Sequence, residues 1–388
     1  MAGTFVECWR QYRAFRRLPR RERRIVFYSE SAHDWHHWRG VVDHLTGKRR
    51  ETICYVSSDP TDAGLHQASP RIHPFCIGSG FWRISFFQFL DADVLVTQLV
   101  DLDNFDLKRS IHPVHYVYMF HSLISTHMAD HADSFDHYDT ILCAGPHQMR
   151  EIRKREALHH LEPKQLLPHG YARLDDLVAN RRPPRVDPEG RMHVLLAPSW
   201  GPRTILPVCG LALTGILLDA GFQVTLRPHY QTRWTTPQVI DRIVDRHRGH
   251  PRLAVVEHMG ECDSLFDAHV MVTDWSGAGQ DFGLGLEKPV LFIDVPPKAR
   301  NDSWRELDIE PFESHVREKI GAILPPERVA EVPAVIRHLV RDPVRFQQHA
   351  QALRRECVFN LGHSGEAAGE AIARVARQRA SVVPEPHR

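Results

Sequence analysis

Val270-Met271-Val272-Thr273-Asp274-Trp275-Ser276-Gly277-Ala278-Gly279-Gln280-Asp281-Phe282, followed by Lys288-Pro289-Val290-Leu291-Phe292-Ile293, is the stretch whose pattern decides the fold. A short apolar run ends in a turn of polar and small residues, a helix opens at that turn, and a second apolar run follows. This is the alternation of a βαβ unit, whose strands lie parallel with helices over both sheet faces. Reading outward, the same run recurs at His193–Ala197, Gln223–Arg227 and Leu253–Val256 in the second half. In the first half it recurs at Ile25–Tyr28, Thr52–Val56, Val94–Thr97, His115–Phe120 and Thr140–Ala144, with one more short strand before Pro168. Helical periodicity fills intervals such as Leu206–Ala220, Pro237–His247 and Val329–Val340.

The two halves meet at Asn180–Gly190, a charged stretch rich in proline and ended by glycine, which reads as a linker. The expected architecture is therefore α/β, two Rossmann-like domains facing across a cleft, with C-terminal helices. The expected boundaries are a basic amphipathic segment over 1–24, a first domain over 25–182, a second over 190–342, and helices and tail over 343–388. Ligands in such sheets bind at the carboxyl ends of strands. A break near Asn360-Leu361-Gly362 divides the last helical region.

Composition agrees with a large folded enzyme. Of 388 residues, 42% are hydrophobic and 25% charged, proportions that exclude disorder, collagen-like sequence and a disulfide scaffold. The formal charge of +1 argues against a nucleic-acid-coating surface, but it hides an asymmetry. Residues 1–25 hold eight arginines against Glu7 and Glu22, a local net of +6 that leaves −5 for the remaining 363 residues. Phe5, Trp9 and Tyr12 recur at helical spacing among those arginines, with Phe15 and Leu18 beyond, a pattern suited to an anionic lipid surface. The competing reading is a helix whose apolar face docks on its own protein. No apolar core of a signal peptide follows, and no uncharged run reaches the ~18 residues of a membrane span. Seven widely spaced cysteines (Cys8, Cys54, Cys76, Cys143, Cys209, Cys262 and Cys357) contain no CxxC pair and fit a reducing cytoplasm.

Strand ends carry the candidate chemistry. The turn Asp274–Asp281 lets backbone approach a ligand and offers free N–H groups to phosphate, with Ser276 as an added hydroxyl. The strand before Arg227-Pro228-His229 projects a guanidinium for phosphate and an imidazole for proton transfer or phosphate binding. A third polar tip is Pro198-Ser199-Trp200-Gly201. In the first half His121-Ser122 directly ends a strand, which makes His121 a general-base candidate. Arg173 and Asp175, in Pro168–Asp175, pair with each other or face the cleft. His127 and His131 stand at i, i+4 as metal ligands do, but lack the HExxH glutamate and a third ligand, so no metal site is expected. His33, His36, His37, His159 and His160, among 27 histidines, carry no legible motif.

Taken together the tips resemble the CDP-glycerol glycerophosphotransferase family, the teichoic-acid and capsule polymerase group of GT-B architecture. The family's Asp-Tyr-Ser-Ser-x-x-x-Asp is similar to Asp274-Trp275-Ser276-Gly277-Ala278-Gly279-Gln280-Asp281, and its Arg-x-His-Pro to Arg227-Pro228-His229-Tyr230. Its Ala-Pro-Thr-Trp is similar to Ala197-Pro198-Ser199-Trp200, its Gly-x-Pro-Arg-x-Asp to Gly170–Asp175, and its Trp-His-Gly to Phe120-His121-Ser122. Asp263-Ser264 and Lys288–Phe292 follow in the family's order. The match runs from about 110 to 300, and the chain looks like a less characterised branch, recognisable by Phe120–Met128. Gly277, Ser122, Tyr230 and Ala172 depart from the family pattern.

The resemblance implies transfer of an alditol phosphate from a CDP-alditol donor to a hydroxyl of a lipid-linked or polysaccharide acceptor, releasing CMP. The second domain would hold the donor through Arg227, Ser276, Gly277, Asp274, Asp281, Ser199 and Ser264. His121 would take the acceptor proton, and His229 with Arg227 would neutralise developing charge. Arg173 and Asp175 fall on the structural or acceptor side. No cofactor is expected, and no nucleic-acid partner. The basic segment places the enzyme on the inner face of a bacterial cytoplasmic membrane. The alternative is a GT-B glycosyltransferase using a nucleotide sugar; a non-catalytic scaffold and a zinc hydrolase rank below it.

Overall fold

The computed structural model describes residues 5–256 and 263–382. Cys262, residues 1–4 of the basic segment and the end of the tail lie outside the described residues. Strands β1 (Ile25–Ser29), β2 (Ile53–Ser57), β3 (Ile72–Cys76), β4 (Val94–Thr97), β5 (His115–Met119), β6 (Thr140–Cys143) and β7 (Gln165–Pro168) form one parallel sheet in the order β3-β2-β1-β4-β5-β6-β7. Strands β8 (His193–Leu196), β9 (Gln223–Leu226), β10 (Leu253–Val255), β11 (Val270–Thr273), β12 (Val290–Ile293) and β13 (Gly321–Leu324) form the other, in the order β10-β9-β8-β11-β12-β13. Each sheet is doubly wound. The winding reverses between β1 and β4, paired Ile25 to Val94, and between β8 and β11, paired Val194 to Val270.

Ten strands coincide with the apolar runs, because central strands buried on both faces read as continuous hydrophobic sequence. Two strands escape that reading, and both sit at an edge. In β3, Pro74 and His73 interrupt the run, which an edge position tolerates since the missing N–H deprives no neighbour. In β13 the first residue is Gly321, where a Cβ would lie 1.7 Å from the Val290 carbonyl oxygen. Only glycine lets that strand approach β12.

The described chain divides into two compact units. Unit 1 draws on Met1–Asp175, Arg300–Ile309 and Val358–Arg388, and unit 2 on Asp176–Ala299 and Glu310–Cys357. The core of unit 1 joins Phe27, Val96 and Val117 of the sheet to Trp38 and Val41 of α2 (Trp35–Asp43) and to Ala368, Ile372 and Val375 of the C-terminal helix Ser364–Val382. That helix lies close enough to α2 that a Cβ on Gly365 would stand 2.7 Å from the Gly40 carbonyl carbon. The Asp175 carboxylate fixes its start, accepting the N–H of Gly362 (2.6 Å), the N–H of Ser364 (3.0 Å) and the Ser364 hydroxyl. The core of unit 2 packs Leu196, Leu226, Val272 and Leu291 against Leu217, Ile243, Val332 and Ile336. Buried Glu287 ties the helix Pro343–Cys357 to unit 2, accepting from Arg354 (3.0 Å), Gln351 (2.9 Å) and Arg181.

The basic segment is a helix, α1 (Phe5–Arg17), and part of its apolar stripe faces inward. Phe15 is buried against Phe75 and Phe86, with ring centroids 5.5 and 5.3 Å away, and Tyr12 is buried against Trp82 of α3 (Phe81–Phe89) at 5.6 Å. Three of the eight arginines are likewise engaged within unit 1: Arg20 and Arg24 bind Asp93 at 2.8 and 2.6 Å, and Arg23 binds Asp91 at 2.9 Å. Part of the segment expected to meet an anionic membrane surface through 1–24 thus docks on the protein itself, as in the competing reading, and a smaller face is left exposed. Phe5, Val6, Trp9 and the neighbouring Phe81 remain exposed, flanked by exposed Arg10, Arg13, Arg16 and Arg17. No helix among the described residues is long and apolar enough to cross a membrane.

Replacing Asp175 by Ala removes three bonds at one helix start, each helix cap or charged bond contributing ~1–3 kcal/mol. Denaturant unfolding of Asp175→Ala should show a loss of about 2–4 kcal/mol by those same increments, with hydrogen exchange accelerating first over 364–382.

Candidate functional site

In unit 2 three strand tips share the carboxyl edge of the sheet, since β8 lies between β9 and β11. The winding reversal falls between β8 and β11, so the loops leaving them diverge and open a crevice there. Asp274, fully buried, bridges that point: its carboxylate accepts the backbone N–H of Ser199 (2.8 Å) and of Ile205 (3.1 Å). The Thr273 hydroxyl adds a bond to the Ala197 carbonyl at 2.7 Å. Asp274 thus positions the two tips, and its charge is absorbed by backbone N–H groups.

Around this brace stand the groups that can meet an anion. Ser199 is buried and its Oγ has no hydrogen-bond partner. Ser276 caps the turn Gly277–Gln280, its Oγ accepting the Ala278 N–H at 3.3 Å. Arg227 is buried just past β9, its backbone N–H on the Leu196 carbonyl (2.8 Å). His229 accepts the Gln231 N–H at Nδ1 (3.1 Å), which leaves the proton of a neutral ring on Nε2. Burial, then the charge of Lys298, pushes its pKa down to about 4. His229 is therefore a neutral donor at pH 7, and the positive charge at these tips comes from Arg227 and Lys298. The His229 ring lies 6.1 Å from Trp200, over which Lys298 Nζ sits at 4.1 Å. Asp281 is buried in the next helical turn, and Ser264 lies on the helix Asp263–Asp267 leading into β11. Lys288 precedes β12 and so stands at the opposite edge of the sheet, donating to the carbonyls of Phe266 and Ala268.

In unit 1 the structure gathers histidines that showed no motif. His121, just past β5, is half-buried, with its ring 5.2 Å from His37 of α2. His36 lies 3.7 Å from His37, Tyr171 stacks on His37 at 6.3 Å, and His169, after β7, bonds the Phe120 backbone. Desolvation lowers the pKa of the other three histidines, to about 4 for the more exposed His36, to about 3 for His169, and well below the ordinary value for His37. Desolvation likewise lowers His121, while the carboxylate of Asp34 acts against it. A neutral imidazole is the form a general base needs. Arg173 faces this cluster, since its charge depresses His36 and His37, whereas Asp175 is taken up by the helix cap.

His127 and His131 take different partners: His127 Nε2 bonds the Ile309 carbonyl (3.2 Å) and His131 bonds Arg300 (3.2 Å). Among the described residues no three His, Cys, Asp or Glu side chains converge as metal ligands. The side chains to which sequence reasoning gave no site role are Asp34, His36, His37, His169, Tyr171 and Lys298. Lys298 follows a strand end and was findable on that ground; the histidines meet only through packing of α2 on the sheet.

No protein-family model matches the chain, and no curated protein matches it. Among solved structures the chain is similar to the wall teichoic acid polymerase TagF in a variant soaked with CDPG, at 13% identity and a TM-score of 0.56, covering 96% of this chain and 94% of that one. It is similar to a Methanocaldococcus jannaschii UDP-GlcNAc 2-epimerase in complex with UDP-GlcNAc and UDP (10%, TM-score 0.57, covering 91% and 99%). It is also similar to S. aureus MnaA with UDP (10%, TM-score 0.59, covering 93% and 98%). At these identities the likeness establishes the fold, the two-domain GT-B-like arrangement of two parallel sheets.

Buried His37 and His169 set a pH dependence. Each keeps a native pKa below the ordinary 6.5, so on acidification the unfolded chain binds protons that the native chain refuses. Their contribution is complete above about pH 6.5 and is lost as pH falls toward 4, each group costing up to ~1.4 kcal/mol per pH unit. Melting temperature should be nearly flat from pH 8 to 7 and drop steeply from 6 to 4.5, with His169→Gln showing a shallower fall.

Proposed function

We propose that this chain is a transferase that takes a group from a nucleoside-diphosphate-linked donor and passes it to an acceptor hydroxyl. The observation that carries the reading is the set of tips at the winding reversal of the unit 2 sheet. Buried Arg227, Lys298, the neutral donor His229 and the hydroxyls of Ser199 and Ser276 suit a diphosphate, and Trp200 offers an aromatic face. Removing donors aimed at developing phosphate charge typically costs ~10²–10³-fold in rate. The donor-binding roles of Gly277, Asp281 and Ser264 belong to this proposal, with Asp274 as the brace behind them.

His121 serves as the base for the acceptor hydroxyl. Desolvation, which favours the neutral imidazole a base needs, lowers its pKa, while the Asp34 carboxylate acts against that shift. Two donor chemistries fit. The solved-structure likenesses favour a nucleotide sugar, two of the three structures above being complexes that contain UDP. The strand-tip motifs favour a CDP-alditol, as in the glycerophosphotransferase family. In the second case the acceptor oxygen forms a bond to the β-phosphorus, the pyrophosphate bond breaks, CMP leaves, and the proton passes to His121. Phosphoryl transfer of this kind asks mainly for positioning and charge stabilisation. Peripheral attachment to an anionic membrane is part of the proposal, through exposed Phe5, Trp9 and Phe81 with Arg10, Arg13, Arg16 and Arg17.

Calorimetric titration with CDP-glycerol, CDP-ribitol, CMP-sugars and UDP-sugars separates the donors. The preferred donor should bind Arg227→Ala at least ~10-fold more weakly, a lost charged bond being worth ~1.5–3 kcal/mol. His121→Ala should keep donor affinity and lose ~10²–10⁴-fold in turnover; turnover near wild type rejects its role as base. Flotation with anionic vesicles should fall when Phe5, Trp9 and Phe81 are all replaced by serine, and equal flotation rejects this face as the contact.

A further inference from the structure

The amino edge of the unit 2 sheet, opposite the donor tips, carries a cavity of about 410 Å³. Its walls come from three places: the linker over 181–184, the approaches to β11 and β12 at His269 and 286–289, and the helical region at Val340, Pro343 and Gln347. The volume falls within the ~300–1,000 Å³ of small-ligand sites. The transfer chemistry proposed above uses none of these residues.

Lys288 is a buried cation on that wall. It is 6% exposed, and its ammonium donates to the backbone carbonyls of Phe266 and Ala268. Among the described residues no carboxylate forms an ion pair with it, since nearby Asp267 pairs with Arg182 at 3.2 Å. An ammonium has three donors, so one is left over. Burial pushes its pKa down to about 8, with Asp267 opposing the fall and Arg182 adding to it, and at pH 7 it stays charged. Buried charges are ordinarily paired, because the low dielectric penalises a lone one, so this ammonium marks a place for an anion.

Other polar groups on the walls keep surface that a ligand can touch. His269 Nδ1 accepts the His193 N–H at 3.1 Å, and burial with the charge of Lys288 lowers its pKa, so the neutral ring carries its proton on Nε2. That atom has no partner among the described residues and is not shielded from solvent. The Gln347 carboxamide stands exposed on the helix Pro343–Cys357. Arg181 and Arg182 leave 36% and 50% of their side chains accessible. Glu287, the one acid among the described lining residues, is already held by Arg181, Arg354 and Gln351. The lining thus joins net positive charge to apolar Leu286, Pro289, Val340 and Pro343.

We propose that this cavity binds a small amphipathic monocarboxylate, its carboxylate on Lys288 and His269 Nε2 and its apolar chain or ring among the prolines with Leu286 and Val340. The site is separate from the donor tips, which stand at the carboxyl edge of the same sheet. The chain enters unit 2 just before 181–184 and leaves it at the end of the helix Pro343–Cys357, so one ligand would hold both connecting segments together.

Saturation-transfer NMR on the full chain compares octanoate and phenylacetate with their uncharged counterparts, 1-octanol and 2-phenylethanol. At least one carboxylate should receive saturation and bind at least ~10-fold more tightly than its alcohol, since a hydrogen bond to an ionised group is about twice as strong as a neutral one. Lys288→Met should weaken that binding at least ~10-fold by removing the charged bond. Gln347→Trp, which sets an indole across the mouth from an exposed position, should weaken it as much, with calorimetric affinity for CDP and UDP unchanged. Hydrogen exchange over 181–187 and 344–350 should slow when the carboxylate is added. Where Lys288→Met fails to fold, Gln347→Trp decides alone. No transfer to either carboxylate, equal binding of acid and alcohol, or undiminished binding in Gln347→Trp overturns the site. Binding abolished instead by Phe5→Ser with Trp9→Ser assigns the carboxylate to the N-terminal face and also overturns it.

Discussion

Parallel pairing forces every strand of a sheet to end on the same edge, and a reversal of winding opens that edge at one place. In both sheets here the reversal lies beside the first strand of the unit, between β1 and β4 and between β8 and β11. Loops on either side of the reversal run to opposite faces, so their polar side chains line a gap that no helix fills. The Ser199 Oγ, at the reversal of the unit 2 sheet, is one of the buried polar atoms without a hydrogen-bond partner among the described residues. Asp274 shows how the gap is kept in shape: one buried carboxylate satisfies backbone N–H groups from the loop across the reversal and holds both tips at fixed spacing.

Burial then decides the chemical character of what stands at the edge. His229 would be half-charged near pH 6.5 in water, but desolvation and Lys298 make it a neutral donor. Lys298 and Arg227 keep the positive charge, and the site combines both kinds of donor. In unit 1 four histidines share one desolvated cluster, where a second proton would be repelled by the first as well as by the low dielectric. The same desolvation that lowers the pKa of these histidines makes the fold sensitive to acid.

The N-terminal helix shows a division of labour along a single stripe. Tyr12 and Phe15 lock the helix to α3 and β3, and their burial orients Phe5 and Trp9 beside Phe81. Docking thus fixes the orientation of these exposed side chains relative to unit 1. Pairing of Arg20, Arg23 and Arg24 with Asp91 and Asp93 turns the apparent charge of the segment into a smaller, directed patch.

Much of this was legible in sequence because its cause is local. A strand buried on both faces must be apolar throughout, a strand tip must carry its turn residues, and a helix must repeat its apolar positions, so the doubly wound units and the tips at Ser199, Arg227, His229, Asp274 and His121 could be read directly. The edge strands β3 and β13 were hidden because an edge relaxes the rule, admitting Pro74 and Gly321. What only the tertiary structure decided depends on neighbours distant in sequence. It turned Asp274 into a brace and Asp175 into a cap, and brought His36, His37 and His169 to His121. Residue type sets what a side chain can do; desolvation and partner choice, which arise when distant segments pack, set which of those things it does.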